Sequence, residues 1–475
     1  MAMIGSDIFF APLADLNARL KAREFSAVDL ARAFSERLQQ LGPRFNALVL
    51  PLHQEAIRKA KEVDQDLKRE RFRGPLQGIP YGVKDLLAFA GQPTTWGAKP
   101  YAGQVFDYNA TVIDKLADVG AVLTGKLAMV ELAGGGGYRY PSASLTGPGL
   151  NPWDTARWSG GSSSGSAAAV AAGLVPFAIG SETSGSIVTP ASFCGVTALR
   201  PTYGLVSRHG AMALSWTLDK LGPFARCAED CGHILEAIAG KDAKDPGSAG
   251  KSFYYTPEYA RPVKELRVGF APADFAEWVD PGTRPVFEAA LGVLRECGLK
   301  FVESRLPDLP YGPALSTILA GEMGSIFEPL IESGKVEGLS DKPQIAGLKA
   351  SLELPAKDYL KAMRLRRVMQ QQVGAVFGNV DVLVAPGRAT IASRVEQPLD
   401  RGAGGALPKD SGFRSIIPMG NMAGLPALVL PCGFVENLPV ALQLVGAPFG
   451  ENTLLAIGRE FQARTEWHKR RPAGV

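Results

Sequence analysis

The chain has 475 residues, of which 46% are hydrophobic and 21% are charged, and its formal net charge at pH 7 is +4. This composition is ordinary for a globular enzyme and excludes a fibrous or disordered chain. Basic residues cluster at 68–73 and 364–367, which we interpret as solvated helix faces, so no nucleic-acid partner is expected.

The cysteines and the apolar runs suggest a location. The chain has five cysteines and no C-x-x-C pair, so we expect neither a disulfide framework nor a zinc site, and a cytoplasmic location fits best. Residues 1–12 lack the pattern of a secretory signal. The longest apolar run, 167–180, is shorter than the roughly 20 residues that span a bilayer, so no membrane span is expected.

The predicted elements alternate between helices and short strands along the chain. Apolar residues at helical spacing predict two helices within 12–40 and a third at 54–71. Strands are predicted at 79–83, 121–124, 174–179, 266–270, 381–385, 427–430 and 441–445, and further helices at 284–297 and 359–377. This alternation favours an α/β sheet with parallel members.

Two segments are predicted loops. The polar segment 240–262 contains Pro and Gly and divides a front half from a back half. Gly402 to Gly405 predict a flexible surface loop from their composition.

The most unusual stretch is 159–186, which is dense in Gly and Ser. Small residues of this kind let backbone amides approach a ligand closely, and a helix that starts nearby favours negative charge. A flexible linker is the alternative, but the stretch runs directly into the apolar run 167–180, so we favour a functional site.

Two familiar motifs fit this region in part. Residues 161–165 match G-x-S-x-G, which would make Ser163 a nucleophile, but residues 154–159 do not have the pattern of the strand that such an elbow needs. Residues 120–126 match most of a P-loop, but Leu127 replaces the hydroxyl that binds magnesium, and the segment resembles a strand. We therefore reject nucleotide binding.

Histidine is scarce, with His53, His209, His233 and His468 the only four. Only His209 lies in a loop that suits a site, so a Ser-His-Asp triad is poorly supported. A buried lysine can replace histidine as base when burial lowers its pKa. Lys84 follows an apolar run and is the candidate, with Asp85 beside it to balance its charge or cap the next helix.

Three motifs together resemble the amidase signature family. They are the lysine motif at 78–85 (GIPYGVKD), the Gly/Ser motif at 160–168 (GGSSSGSAA) and the nucleophile loop at 180–187 (GSETSGSI). Further matches lie at 151–154, 193–196, 421–424 and 430–433. The resemblance implies a single α/β domain over 1–475, with a mixed, mostly parallel central β-sheet covered by helices on both faces.

Within that domain we expect an N-terminal helical segment at 1–73, a catalytic core at 78–240, a loop at 241–262 and the rest of the sheet at 263–475.

The resemblance also implies the roles of the site residues. Ser186 is the nucleophile, Ser162 the bridging serine after a cis peptide bond, and Lys84 the base. The oxyanion hole is formed by the backbone of Thr183, Ser184, Gly185 and Ser186. Residues Ala133, Gly134 and Tyr138 border the substrate, with Gly134 making the pocket roomy. No metal or cofactor is expected.

The chain departs from the family pattern at Glu182, Ser184 and Val188, where Asp, Gly and Arg are usual. Val188 removes the expected ion-pair partner of the residue at 182. These departures favour a stand-alone hydrolase of amides, with carbamates and esters also accessible, over a glutamyl-tRNA amidotransferase subunit.

The expected partner is an apolar or aromatic small-molecule amide or carbamate, for a monomer or homodimer without nucleic acid or membrane. The alternatives are an amidotransferase subunit that passes ammonia to a partner enzyme and a catalytically inactive binding protein. The three catalytic residues count against the latter.

Overall fold

The computed structural model describes residues 4–399 and 412–475. The predicted loop at Gly402–Gly405 lies outside the described residues. The strands are β1 (Leu48–Pro51), β2 (Pro80–Lys84), β3 (Val122–Leu127), β4 (Leu150–Asn151), β5 (Asp154–Trp158), β6 (Phe177–Glu182), β7 (Thr197–Arg200), β8 (Lys220–Ala225), β9 (Arg267–Phe270), β10 (Lys300–Glu303), β11 (Val382–Pro386), β12 (Ala427–Val435) and β13 (Leu438–Gly446).

The helices follow the amphipathic segments of the sequence. They are α1 (Leu13–Lys21), α2 (Ala27–Leu41), α3 (His53–Lys68), α4 (Thr111–Asp118), α5 (Ser164–Ala171), α6 (Val188–Cys194), α7 (Ala228–Ile238), α8 (Pro272–Ala276), α9 (Arg284–Glu296), α10 (Tyr311–Glu332), α11 (Lys342–Ser351), α12 (Ala356–Val376), α13 (Ile416–Ala423) and α14 (Glu451–Ala463).

One eleven-stranded sheet organises the described residues, in the order β1-β3-β2-β6-β8-β7-β12-β13-β11-β9-β10. Parallel pairing joins β3, β2 and β6 near one end and β11, β9 and β10 at the other. Antiparallel pairing joins the strands between them. The predicted fold class, one α/β domain with a mixed sheet covered by helices, is confirmed.

The pairing of β2 with β6 positions the site. Tyr81, Gly82 and Val83 lie beside Phe177, Ala178 and Ile179 in parallel register. The carboxyl ends of parallel neighbours meet at one edge of a sheet. Lys84, which ends β2, therefore lies beside the segment that follows Glu182 at the end of β6.

The strand predictions locate the buried sheet well, with one error. Residues 154–158 form β5, which pairs with β4 in a separate two-stranded sheet, although the sequence pattern argued against a strand there. Its first three residues are exposed, so it lacks the apolar alternation that identifies a strand against the core.

The two halves of the chain share the main sheet. Segment 240–262 connects α7 to β9, while β12 of the back half pairs with β7 of the front half at Ala427–Arg200. No helix within the described ranges is both long and apolar enough to cross a membrane.

Candidate active site

Lys84 lies fully buried at the end of β2. Its Nζ atom is 2.7 Å from Ser162 Oγ and 2.9 Å from Ser181 Oγ. Burial lowers the pKa of Lys84 to about 7, against the opposing influence of Asp219 and Glu182. An amine with this pKa is largely neutral at mildly alkaline pH and can accept a proton.

Asp85 does not balance the charge of Lys84, in contrast to the expectation from the sequence. Its carboxylate forms a buried ion pair with Lys126 at 2.8 Å and accepts hydrogen bonds from the backbone and hydroxyl of Thr95. Lys126, the lysine of the rejected P-loop motif, lies on β3 and is held in this pair. The pair links the end of β2 to β3. Lys84 instead forms its hydrogen bonds with Ser162 and Ser181.

Ser162 lies in the segment between β5 and α5, joined to Gly161 by a cis peptide bond. It is 1% exposed, and its carbonyl accepts the backbone N–H of Val130 at 3.1 Å. The family resemblance implies a cis bond at this position. The arrangement directs Ser162 Oγ to the Lys84 amine.

Ser163 has a structural role. Its hydroxyl donates to the Ser181 carbonyl at 3.1 Å and accepts from the Ser181 backbone N–H at 3.3 Å, and the side chain is fully buried. A hydroxyl committed to a backbone in this way is not available for attack. The nucleophile-elbow alternative therefore fails on the geometry of Ser163, although a strand does precede it.

The segment after β6, which contains residues 183–186, is a loop that leads to α6. Gly185 has φ +85°, a conformation that favours glycine, and Ser186 is 9% exposed. Among the described residues, no acceptor binds the backbone N–H groups of Thr183 to Ser186. Unpaired backbone N–H groups beside a serine are the kind of donors that stabilise an oxyanion.

Glu182 fixes this loop at both ends. Its Oε2 accepts the backbone N–H groups of Ile187 and Val188 at 2.8 and 3.0 Å. Its Oε1 accepts from Arg200 at 2.7 Å and from Asn421 Nδ2 at 2.8 Å. The site therefore keeps a buried ion pair despite Val188, because Arg200 on β7 provides the cation.

The electrostatics agree with an ionised Glu182. Burial alone raises its pKa, but the Arg200 guanidinium and the other donors outweigh burial and lower the pKa to about 2. Glu182 and Arg200 are both fully buried. Removal of either group would leave the other charge unpaired in the core, which is expensive.

Asp219 supports the loop from the opposite side. It accepts a hydrogen bond from the Thr183 hydroxyl at 2.6 Å and from the backbone N–H groups of Leu214 and Ser215 at 2.8 and 2.9 Å. It thereby ties the loop to the segment 211–216.

A cavity of about 500 Å³ opens onto this region. Ser181, which contacts Lys84, and the hydrogen-bonded pair Thr183 and Asp219 line it, whereas Lys84, Ser162 and Ser186 do not. The remaining wall is formed by Leu86, Ala133, Tyr203, Arg208, His209, Ala211, Met212, Ala213, Leu214, Trp216, Leu221, Lys244, Asp245, Pro246 and Gly247. The wall is mainly apolar and also includes the charged residues Arg208, Asp219, Lys244 and Asp245.

The structure does not place all three of the residues predicted to border the substrate on the cavity. Ala133 lines the cavity, whereas Gly134 and Tyr138 do not. A Cβ atom on Gly134 would lie 2.7 Å from the Tyr138 ring, so that ring fills the space expected to enlarge the pocket. Tyr138 packs instead near Trp158, at a ring distance of 6.2 Å.

Several residues of the site carry weak sequence signals. Ser181 was one hydroxyl among many, and only the structure shows its contact with Lys84. Asp245 lies in the predicted dividing loop, where it pairs with Arg208 at 2.8 Å and forms part of the cavity wall. A local run rich in Asp and Gly predicts a turn, but it does not show that the turn forms part of the cavity wall.

Histidine and metal ligands were also considered. His209 lines the cavity and its ring stacks near Tyr108 at 5.7 Å, while its backbone N–H donates to Ser207. No group of three or more His, Cys, Asp or Glu side chains in the described ranges could hold a metal ion. The residues that converge are therefore serines and one lysine.

Comparison with known proteins gives consistent matches over the chain length. The Amidase family model matches residues 29–455. The A subunit of glutamyl-tRNA(Gln) amidotransferase from Carboxydothermus hydrogenoformans is 35% identical, covering 98% of this chain and 99% of its own. The same subunit of Chloroflexus aurantiacus is 37% identical, covering 96% of both chains.

Solved structures also match this chain over nearly its whole length. Peptide amidase from Stenotrophomonas maltophilia has a TM-score of 0.84 and 31% identity, covering 97% of this chain and 98% of its own. The A subunit of the glutamyl-tRNA(Gln) amidotransferase from Thermotoga maritima has a TM-score of 0.80 and 28% identity, covering 98% of this chain and 96% of its own.

These relatives correct two expectations. The amidotransferase subunit is not a poor match, since such subunits are similar to this chain over nearly its whole length. The expectation of a monomer or homodimer with only a small-molecule partner is wrong, because these relatives are subunits of a larger enzyme by name. The Amidase family model matches residues 29–455 and the relatives cover nearly the whole chain, and we conclude that it belongs to the amidase signature family of enzymes that act on C–N bonds.

Proposed function

We propose that the chain cleaves the C–N bond of an amide through an acyl-enzyme on Ser186, and that it does so as the amidase component of an amidotransferase-type enzyme. The observation that carries the chemistry is the 2.7 Å separation between buried Lys84 Nζ and Ser162 Oγ. Similarity to amidotransferase subunits over at least 96% of the chain supports the second part.

The proposed reaction uses only groups of this chain. Neutral Lys84 accepts the Ser162 proton while Ser162 takes the Ser186 proton, and Ser186 Oγ attacks the carbonyl carbon. The amides of residues 183–186 stabilise the oxyanion, where loss of one donor typically costs about 3 kcal/mol. The C–N bond then breaks as Ser162 returns a proton to the leaving nitrogen.

Water completes the cycle through the same relay. It loses a proton to the Ser162–Lys84 pair, attacks the ester on Ser186 and releases the carboxylate. With a primary amide the first product is ammonia, which a partner enzyme consumes in an amidotransferase.

A second candidate is direct hydrolysis of amides without a partner, with carbamates and esters open to the same acyl transfer. Its support is the similarity to a peptide amidase over 97% of this chain. The two candidates share the catalytic chemistry and differ in where the released nitrogen goes.

Labelling tests the shared chemistry. A phosphonate or sulfonyl fluoride should modify Ser186, as located by peptide mass mapping, and Ser162→Ala should slow labelling strongly by breaking the relay. His209→Ala is the matched control and should label at the normal rate. An adduct on Ser163 that is lost in the His209 variant would refute the lysine mechanism.

Isolation of the tagged chain from its source cells separates the two candidates. The amidotransferase role predicts a stoichiometric complex with an ammonia-consuming enzyme and a higher rate of ammonia release in that complex. Full activity of the isolated chain, with no such complex, would favour the stand-alone hydrolase.

A further inference from the structure

Glu322 is a buried carboxylate in the middle of α10 that binds the wall of the cavity. It accepts hydrogen bonds from the Ser215 hydroxyl, from the Thr217 hydroxyl at 2.8 Å and from the Thr217 backbone N–H at 3.2 Å. The Tyr359 hydroxyl of α12 donates to it at 3.0 Å. These donors replace the water that a buried carboxylate loses, so Glu322 fixes Ser215 and Thr217 to the helices.

The residue between these two belongs to the cavity wall. Trp216 lines the cavity, and both of its neighbours in the chain bind Glu322. The Trp216 carbonyl accepts hydrogen bonds from the Tyr203 hydroxyl at 2.7 Å and from Arg208. The backbone of this part of the wall is therefore held from two sides.

Ser215 connects Glu322 to the loop that carries the nucleophile. Its hydroxyl donates to Glu322, and its backbone N–H donates to Asp219 Oδ2 at 2.9 Å. The other carboxylate oxygen of Asp219 accepts from the Thr183 hydroxyl at 2.6 Å. Thr183 is the first residue after β6 and begins the loop that contains Ser186. A continuous series of hydrogen bonds thus joins Glu322 to this loop through Ser215 and Asp219.

The whole series is shielded from solvent. Ser215 is completely buried, and Glu322, Asp219 and Thr183 are at most 9% exposed. Water therefore competes little for these hydrogen bonds, which are stronger in such surroundings than at the surface. Because one Asp219 carboxylate binds both the Ser215 backbone and the Thr183 side chain, a displacement of the wall is a displacement of the loop.

We infer that Glu322 is a positioning residue for the oxyanion site and acts on Thr183 through Ser215 and Asp219. The inference rests on the proposed cleavage at Ser186, in which the backbone N–H groups of residues 183–186 bind the oxyanion. Such donors act at about 2.7–3.1 Å from the oxyanion, and a misplacement of about 1 Å can lower a rate about 100-fold. Glu322 itself does not line the cavity, so its effect on the rate is indirect.

The rate at which phenylmethylsulfonyl fluoride labels Ser186 measures this effect, because negative charge develops on a sulfonyl oxygen during the attack. Glu322→Met should lower the limiting rate about 10- to 100-fold and change the half-saturating reagent concentration less than about twofold. Glu322→Gln should keep the limiting rate within about threefold, because its amide oxygen can accept from Ser215 while its NH₂ group donates to the hydroxyls of Thr217 and Tyr359.

Two variants that each remove one hydroxyl separate positioning from stability. Ser215→Ala breaks the series between Glu322 and Asp219 and should lower the limiting rate about 3- to 10-fold. Tyr359→Phe removes a donor to the same carboxylate that belongs to α12 and not to the cavity wall, and it should leave the rate within about twofold. Both variants should lower the melting temperature by similar amounts. Ser215→Ala added to Glu322→Met should cause little further loss, because both changes interrupt one series.

Equal limiting rates in the unmodified chain and in Ser215→Ala overturn the inference, and this comparison decides where Glu322→Met does not fold. A loss in Tyr359→Phe as large as that in Ser215→Ala also overturns it, since it would show general destabilisation.

The pH midpoint of labelling should not move in Ser215→Ala, because the charges that act on Lys84 are those of Asp219 and Glu182. A shift of more than about one pH unit would assign the effect to the base and not to the oxyanion site. If the unmodified chain forms an adduct on Ser186 but Ser215→Ala and Glu322→Met label at its rate, only this inference fails. If the unmodified chain forms no adduct on Ser186, the proposed cleavage fails, and the role of Glu322 fails with it.

Discussion

The acid limb of the pH–rate profile is the most direct measure of the catalytic base. Burial lowers the pKa of Lys84 from 10.5 to about 7. This difference of 10.5 − 7 = 3.5 pH units corresponds to about 5 kcal/mol of preference for the neutral amine. It is the lysine, and not a histidine, that the structure brings to Ser162.

The sign of the effect follows from the role of Lys84. Below its pKa the amine is protonated and cannot accept the Ser162 proton, so kcat/KM falls as the pH falls. With a pKa of about 7 we expect half of the limiting rate at that pH, about a tenth at pH 6 and about a hundredth at pH 5. Above about pH 8 the rate should be level.

The assay is ammonia release at low substrate concentration across pH 5 to 10. Asp219→Asn should move the midpoint to lower pH, because the Asp219 carboxylate favours the charged amine. Glu277→Gln removes an exposed carboxylate away from the cavity and should not move it. A midpoint near 4, or one above 9, would refute the assignment of a buried lysine as base.

Three further results are expected. Lys84→Met should abolish amide cleavage, because Ser162 loses its base, while the melting temperature stays at or above that of the unchanged chain; a variant with near-normal rates would exclude Lys84. A strong chelator should leave the rate unchanged, since the described ranges contain no cluster of metal ligands, and a loss restored by zinc would contradict this. Arg200→Met should lower the free energy of unfolding by about 3–5 kcal/mol, because it leaves Glu182 charged and unpaired in the core; denaturant unfolding measures it, and a change below about 1 kcal/mol would show that the pair is not important for stability.

The sequence predicted what depends on local pattern. The buried strands were recognised because their apolar runs are continuous, as in β2 and β11. Lys84, Ser162 and Ser186 were assigned together because three motifs occur in one order, and the structure brings Lys84 to Ser162. The exposed strand β5 was missed because burial, which creates the pattern, is absent there.

Contacts between segments that are distant along the chain could not be predicted from the sequence. Val188 indicated that the usual cation is absent, but nothing local identifies Arg200 as its replacement, since that depends on how the fold brings the end of β7 to Glu182. Gly134 suggested open space, which Tyr138 fills.

The hydrogen bonds to Glu182 have a consequence for synthesis of the chain. Asn421 is 239 residues later than Glu182, and β12, which pairs with β7, is later still. On the ribosome the lysine and both serines emerge long before these residues, so the loop that carries Ser186 lacks part of its support until 239 more residues after Glu182 have been added. The nascent chain thus carries Lys84, Ser162 and Ser186 well before the Asn421 side chain is available to hold Glu182 in place.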